Sequence, residues 1–401
     1  MNVVGCIRGT TLHGSLGGME LAAKKLYEGL AKSDIKVTVL TSALKKNQVK
    51  PIVKYECGVE YVFLPTSTLQ KYSDEYHLLM SDYFEKNLLS STDVIHSSSA
   101  GASGLCKFEK EIPIVVTWHG TALEQELDKV YKYQYLDGKQ IRATNVERLI
   151  ISTILPKLNK TRKHYCSYTH HVGISNYMSD ILTLYGVPQS NITTIPNSIS
   201  DNFFENHNSP TKENINFVKS EKIVLGVVGR AIPEKGHKIF VKALSLLDSE
   251  KYEVLLVGAG SEAALYDDVS QKVTKLRLDH KQMPSAYKLM DLFINPTIRL
   301  SGFDLTILES LAANTKVLVS DLPQYSAFLE EHNFNKINNR MSCFSVGEPE
   351  KLAESINQIV GEKNTVLEQA MPSKKGLLSD KVMIEHYSNL FENLKSKRKG
   401  G

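Results

Sequence analysis

An α/β fold of two tandem, doubly wound domains is predicted by three features of the sequence. Short β-branched runs alternate with stretches of helical period. The alternation halts between Pro196 and Val218 and then restarts. The chain, at 401 residues, is longer than one hydrophobic core comfortably fills.

The first half opens with "NVVGCI", a strand candidate that leads into a glycine loop. The stretch "MELAAKKLYEGLAKS" follows and places Ala22, Ala23, Leu26, Tyr27 and Leu30 on one helical face. "KVTVLT", "DVIHSS", "IPIVVTWHG" and "HVGIS" are further strand candidates, each apolar and each ending in polar or glycine residues. Strands of this kind with helices between them imply a parallel sheet covered on both faces. "PNSISDNFFENHNSPTKENINFV" is rich in Asn, Ser and Pro and reads as an interdomain linker. Beyond it, "KIVLGVVGR", "YEVLLVGAG", "VTKLRL", "LFINPT" and "KVLVSD" give five more strands, and "SDKVMIEHYSNLFENLKSKRK" closes the chain as a long helix. The expected domains are residues 1–200 and 201–379, and the final "KGG" reads as a disordered end.

Composition narrows the class. With 42% hydrophobic and 23% charged residues the chain is an ordinary globular protein. A net charge of +4 is too small to argue for a nucleic-acid partner. The first residues hold too short an apolar run for a signal peptide, and no run reaches the roughly 18 apolar residues that would span a bilayer. Cys6, Cys57, Cys106, Cys166 and Cys343 form no CxxC pair and read as reduced thiols of a cytosolic protein. The charge is uneven: nine Lys or Arg residues against two acidic ones lie between Lys129 and Lys163, interleaved with tyrosines. This fits either a solvated helical face or a patch for an anionic membrane surface or a phosphate-bearing partner.

In open α/β sheets ligands sit beyond the carboxyl ends of the strands, so the residues that follow each strand carry the functional expectation. In "HGSLGGMELA", Gly14, Gly17 and Gly18 lead into a helix, where a backbone can approach a ligand and free N–H groups can meet an anion. A plain strand–helix turn has the same look. In "VVGRAIPEKG", Arg230 directly follows a strand and Lys235 precedes the next helix. Two such cations suit a diphosphate, the arginine bidentate and the lysine as a point charge. In "VTWHGT", His119 ends a strand before an open loop; His96 in "DVIHSSSAGASG" is similar, and His13 sits in the first glycine loop. The three share no metal-ligand spacing, so no metal site is expected. In "IRLSGFDLTILESLAAN", Phe303 and Leu305 flank Asp304, and Glu309 lies on the first turns of a helix, where a carboxylate can take the two hydroxyls of a ribose or simply face the helix dipole. Gly258-x-Gly260 lacks the third glycine of a dinucleotide fingerprint, and no GxSxG, Walker lysine loop or HExxH is present.

Nine segments in order, from "GGMELAAKKLYEGLAK" through "DVIHSSSAG", "VVTWHGT", "GISNYMSDIL", "TTIPNSISDNFF", "VVGRAIPEKG", "VLLVGAGSE" and "MPSAYKLMDLFINPT" to "GFDLTILESLAAN", resemble the retaining GT-B glycosyltransferases of family four. The resemblance covers nearly the whole chain. It implies two Rossmann-like domains facing across a cleft that holds a nucleotide-sugar, with the last helix, about 380–398, crossing back onto the first domain. It implies that Arg230 and Lys235 hold the donor diphosphate, that Glu309 binds the ribose, that Gly17 and Gly18 border the phosphates and acceptor, and that His119 lies near the transferred sugar. Asn197 matches a structural turn at the domain junction. The family's first glutamate, eight residues before Glu309, is Ser301 here, and the glycine three residues later is Asp304; Gly302 and Phe303 are kept. Asp304 is therefore expected to take over part of the sugar contact.

The activity implied is retaining, metal-independent transfer of a hexose-type sugar from a nucleotide-sugar, UDP-sugar before GDP-sugar, to a glycan, lipid-linked or protein acceptor. No cofactor is implied beyond that substrate. The basic Lys129–Lys163 stretch points to a peripheral position on the inner face of a membrane. The rival expectations are a catalytically weak GT-B partner subunit, which the altered loop would suit, and a sugar-nucleotide epimerase.

Overall fold

The computed structural model describes residues 1–14, 17–135, 155–156, 167–204, 215–331, 340–361 and 378–399. Two parallel sheets carry the chain. The first has the order β3-β4-β2-β1-β5-β6-β7-β8. Its strands are β1 (Asn2–Cys6), β2 (Lys36–Thr41), β3 (Ile52–Glu56), β4 (Val59–Phe63), β5 (Val94–Ser98), β6 (Ile114–Trp118), β7 (His170–Gly173) and β8 (Ile192–Thr194). All pairs are parallel except β3 with β4. The second has the order β11-β10-β9-β12-β13-β14 and is parallel throughout. Its strands are β9 (Ile223–Val228), β10 (Tyr252–Val257), β11 (Lys272–Leu276), β12 (Leu292–Asn295), β13 (Lys316–Ser320) and β14 (Met341–Phe344).

The central strands are buried along their whole length, which is why they read as unbroken apolar runs. The edge hairpin β3–β4 differs. It turns through Cys57 (φ 50°) and Gly58 (φ 81°), two consecutive left-handed residues of the kind a two-residue hairpin requires. Helix α1 (Gly18–Lys32) buries Ala22, Ala23, Leu26, Tyr27 and Leu30, the face expected from the spacing.

The chain divides into two compact units. One is Met1–Ala122, Thr153–Ser198 and Leu377–Gly401; the other is Leu123–Ser152 and Ile199–Gly376. The last helix, Asp380–Lys399, thus packs with the first sheet. Its Tyr387 and Phe391 join the core of Leu26, Val39 and Val94, and Asp380 meets Ser198 Oγ at 2.6 Å and Lys25 Nζ at 3.4 Å. In one respect the division departs from the expected boundaries. After α2 (Asp74–Asn87), helix α3 (Ala122–Tyr135) leaves the first sheet, and from Leu123 onward it groups with the second unit. The basic Lys129–Lys163 stretch therefore does not start as part of the first unit. Most of that stretch lies outside the described residues, as do Cys166 and much of the expected linker. Among the described residues no helix is long and apolar enough to cross a membrane.

Candidate active site

In the second unit, polar groups gather at the carboxyl ends of β9 and β12. The turn after β9 carries Arg230, whose side chain is exposed. The turn is braced from below. Gly258 and Gly260 follow β10, and a Cβ at either would come within 1.9 and 2.2 Å of the Gly229 and Ala231 carbonyls. The glycine pair that fails as a dinucleotide fingerprint serves instead to let two turns touch. His237, buried under the same turn, bonds the Arg230 carbonyl through Nε2 at 3.3 Å and Tyr266 Oη through Nδ1 at 2.7 Å. Burial pushes its pKa down to about 4. The ring is then neutral near pH 7, with Nε2 donating to the carbonyl and Nδ1 accepting from the tyrosine.

Lys235 ends a 3-10 turn, Pro233–Lys235, ahead of helix His237–Leu244. Gly236 has φ 72°, and a Cβ there would sit 1.8 Å from the Pro296 carbonyl, so only glycine lets this turn lie against the 296–304 loop. The Glu234 carbonyl accepts from Thr297 Oγ1 at 3.0 Å and Ile298 N at 3.1 Å and ties the two segments together. Lys235 Nζ meets Asp304 Oδ1 at 2.5 Å; the two side chains are only 17% and 8% exposed. Arg299 stands 3.6 Å from the same oxygen, while Asn295 at 2.9 Å and Tyr325 at 3.2 Å donate to Oδ2.

Burial alone raises the Asp304 carboxyl, but Lys235 and Arg299 outweigh it and hold the group well below the usual carboxylate range. Lys235 is also pushed down. Burial lowers its ammonium, Arg299 and Arg230 add to the effect, and Asp304 opposes it without cancelling it.

Asp304 stands at the N-cap position of helix Leu305–Ala312 but turns its side chain to Lys235 rather than to the helix amides, and Leu305 is half-buried at the first turn. One turn further in, Glu309 is buried and accepts from Tyr287 Oη at 3.0 Å; its other oxygen pairs with His280 Nε2 at 3.1 Å. Each oxygen keeps one acceptor position. Phe303 packs on Tyr325 and Phe328, 5.4 and 4.8 Å between ring centres. Gly302 lies between Phe303 and Ser301 with φ 80°. Ser301 is held from α3: its Oγ is 2.5 Å from Asp128 Oδ2, and the Leu300 and Ser301 amides donate to Oδ1 at 2.5 and 3.3 Å.

The expected sugar contact from Asp304 does not fit this arrangement. Asp304 accepts hydrogen bonds from Lys235, Asn295 and Tyr325, has Arg299 3.6 Å away, and is only 8% exposed, so a sugar hydroxyl has little access to it.

In the first unit, Gly17 caps α1, where a Cβ would lie 2.2 Å from Glu20 Oε2; Gly18 is exposed. His119 follows β6 and is half-buried, and burial pushes its pKa down to about 4. The other two histidines are spent on structure. His13 spans Thr10, Ser42 and Ala43. His96 lies in a buried chain, Tyr27–His96–Thr117–Tyr387, with contacts of 2.9, 2.8 and 2.7 Å. Among the described residues one group has metal-ligand proximity, Glu28, Glu56 and Cys57; Lys24 already pairs with Glu56 at 2.9 Å and Glu28 at 3.5 Å.

The structure thus brings Lys235, Ser301, Gly302, Phe303, Asp304, Leu305 and Glu309 onto connected segments of one unit, with Arg230 on the neighbouring turn. Sequence reasoning missed Arg299, His237, His280 and Asp128. Arg299 could have been found from its place after strand "LFINPT". The others act through long-range contacts that no local spacing announces.

A fold of two Rossmann-like parallel-sheet domains with this set of strand-end residues is that of a GT-B glycosyltransferase. The family model described as Glycosyltransferase Family 4 matches residues 16–203, and that described as Glycosyl transferases group 1 matches residues 222–362. The chain belongs to these glycosyltransferases of the family-four type. It is similar over nearly its whole length to sucrose-phosphate synthase from Thermosynechococcus elongatus, at 16% identity and a TM-score of 0.74, covering 99% of each chain. HepE of Anabaena, in complex with UDP and glucose, matches at 15% identity and a TM-score of 0.70, covering 97% of this chain and 99% of the other. The UDP-forming α,α-trehalose-phosphate synthase of Burkholderia vietnamiensis matches at 10% identity and 0.68, covering 99% of each. No curated protein matches the sequence.

Proposed function

We propose that the chain is a retaining glycosyltransferase that takes a hexose-type sugar from a nucleotide-sugar, with the donor diphosphate held by Arg230 and Lys235. One observation carries this reading. Lys235 is a buried cation that burial, Arg299 and Arg230 all push toward losing its proton, with the Asp304 carboxylate in contact and opposing them. A bound pyrophosphate relieves that imbalance, and the charge growing on a departing diphosphate relieves it further. That differential is what lowers a barrier. Glu309, with one acceptor position left on each oxygen, takes the ribose hydroxyls.

The leaving phosphate oxygen takes the acceptor proton as the anomeric C–O bond breaks, so transfer on the same face needs no side-chain base. The protein's own cations make a metal dispensable. His119 and the Gly17–Gly18 loop serve the transferred sugar and the acceptor. UDP is the favoured nucleotide, supported by the complexes of HepE with UDP and with UDP-glucose. A glycan or lipid-linked acceptor at the inner membrane surface is supported by the basic, tyrosine-bearing Lys129–Lys163 stretch. If that stretch holds the protein to anionic vesicles, binding falls steeply with added salt.

Thermal unfolding against UDP, GDP, ADP, CDP and their sugars tests the reading. A ligand at 100 times its Kd adds about 2.7 kcal/mol. Arg230 is exposed, so Arg230→Ala leaves the fold intact and is expected to abolish most of the shift, and Arg230→Ala/Lys235→Ala all of it. A full shift in Arg230→Ala shows that the phosphates bind elsewhere.

A further inference from the structure

We propose that Asp128, on helix α3, is the carboxylate that reads the donor sugar in this chain. The inference rests on the glycosyltransfer reading above. The loop that leads from β12 to helix Leu305–Ala312 presents no accessible acidic residue to a hydroxyl: position 301 is a serine, and Asp304 is buried among Lys235, Arg299, Asn295 and Tyr325. A carboxylate is nevertheless present beside Ser301, delivered from a helix 173 residues earlier in the chain. Asp128 Oδ2 lies 2.5 Å from Ser301 Oγ, and Oδ1 accepts the amides of Leu300 and Ser301. Three of its roughly four acceptor positions are filled and one, on Oδ2, is open. The side chain is half-buried, so that position can be reached.

The placement is fixed from two sides. Asp128 and Lys132 are one helical turn apart and share a face of α3. Lys132 Nζ meets Glu234 Oε1 at 3.0 Å, in the turn that presents Lys235, while Asp128 grips the loop that presents Asp304. One helix face therefore grips both segments that converge on the lysine. It sets a fixed carboxylate at the loop position one residue before left-handed Gly302. A sugar hydroxyl donating to Oδ2 would find an acceptor already held by two amides and a hydroxyl, at little ordering cost.

The test compares affinities for the nucleotide-sugar that most stabilises the wild-type chain, from the panel above, and for its bare nucleoside diphosphate. Asp128→Ala is expected to cut the advantage of the sugar-bearing ligand by about ten- to hundredfold, the worth of a hydrogen bond to a charged group. Moving the carboxylate back into the loop, in Asp128→Ala/Ser301→Glu, is expected to restore it. Ser301→Glu alone sets two carboxylates in one place and is expected to lose it. Should Asp128→Ala fail to fold, Asp128→Asn keeps the volume and one acceptor for the amides, and is expected to lose the advantage as well. If the advantage persists in these Asp128 variants, or both affinities fall together without recovery in the double variant, Asp128 is a loop strut and the inference is overturned. If no nucleotide or nucleotide-sugar in the panel stabilises the wild-type chain, it is the glycosyltransfer reading that falls.

Discussion

Both units bury polar groups against their parallel sheets, yet they do so with opposite chemistry. In the first, Tyr27, His96, Thr117 and Tyr387 form a neutral chain in which every contact is between protein groups. In the second, Lys235, Arg299 and Asp304 are charged, and the lysine is left unfavourably placed by its own neighbours. A neutral network, once satisfied, specifies packing and asks for nothing more. A buried cation with incomplete compensation is costly to the fold, and such cost is retained where a ligand repays it. The contrast separates a satisfied polar cluster from an uncompensated one, and under the proposed function the uncompensated one is where the donor diphosphate would bind.

The largest effect should come from the ionic side. Lys235→Ala is expected to slow transfer by about 10²–10³-fold, as loss of one preorganised charge does. Asp304→Asn leaves Lys235 among guanidiniums without its partner, and is expected to cost about 3 kcal/mol of stability as well. On the neutral side the pattern reverses. His96→Leu strands the hydroxyl of Tyr27, while Thr117 keeps Tyr387, and should cost about 1–3 kcal/mol with nucleotide affinity of the folded protein unchanged. If His96→Leu weakened nucleotide binding as Lys235→Ala does, measured at a temperature where both are folded, the distinction between the two clusters would collapse.

Acidity sharpens the same contrast. Burial lowers His96 to about 3, with His119 adding to it, and lowers His119, His170 and His237 to about 4, from an ordinary 6.5. A base whose folded pKa lies below its unfolded value takes up its proton first in the unfolded chain. Stability is therefore present above about pH 6.5 and is lost as pH falls toward 4. At pH 5 each such buried histidine costs roughly 1–2 kcal/mol. Asp304 contributes nothing in this window, because its lowered pKa matters only below the ordinary carboxylate range. Melting temperature should thus fall from pH 7 to pH 5, and a flat profile would show that these rings are not held neutral.

How much of this was legible in the sequence follows from distance along the chain. The runs "KVTVLT" and "YEVLLV" announce strands because burial on both faces leaves a continuous apolar signal. Arg230, Lys235 and Glu309 could be picked out because each directly follows a strand or opens a helix. The hairpin β3–β4 was not, since its outer strand is largely exposed and carries no such run. Asp304 was visible as a residue but not in its role, because its partner Lys235 lies 69 residues away. Asp128 gave no local signal at all. It sits within an amphipathic, charged helix that reads as surface, and its importance depends on α3 packing with the second unit rather than the first.

The smallest effect tests the far end of the neutral chain. Tyr387 belongs to the last helix, and its hydroxyl bonds Thr117 at 2.7 Å while its ring meets His96 edge-on, 5.5 Å between centres. Tyr387→Phe keeps the ring and its packing and removes one hydrogen bond. Thr117 Oγ1 keeps its contact with His96, so no buried group is orphaned and the cost should be only about 1 kcal/mol. Double-mutant comparison with His96→Leu then distinguishes a network from a set of independent contacts. Linked through Thr117, the two changes should cost more together than the sum of their separate costs, since only the double variant removes both partners of the buried Thr117 hydroxyl. Strict additivity would mean that the Tyr387 hydroxyl and the His96 ring act independently, with no network running through Thr117.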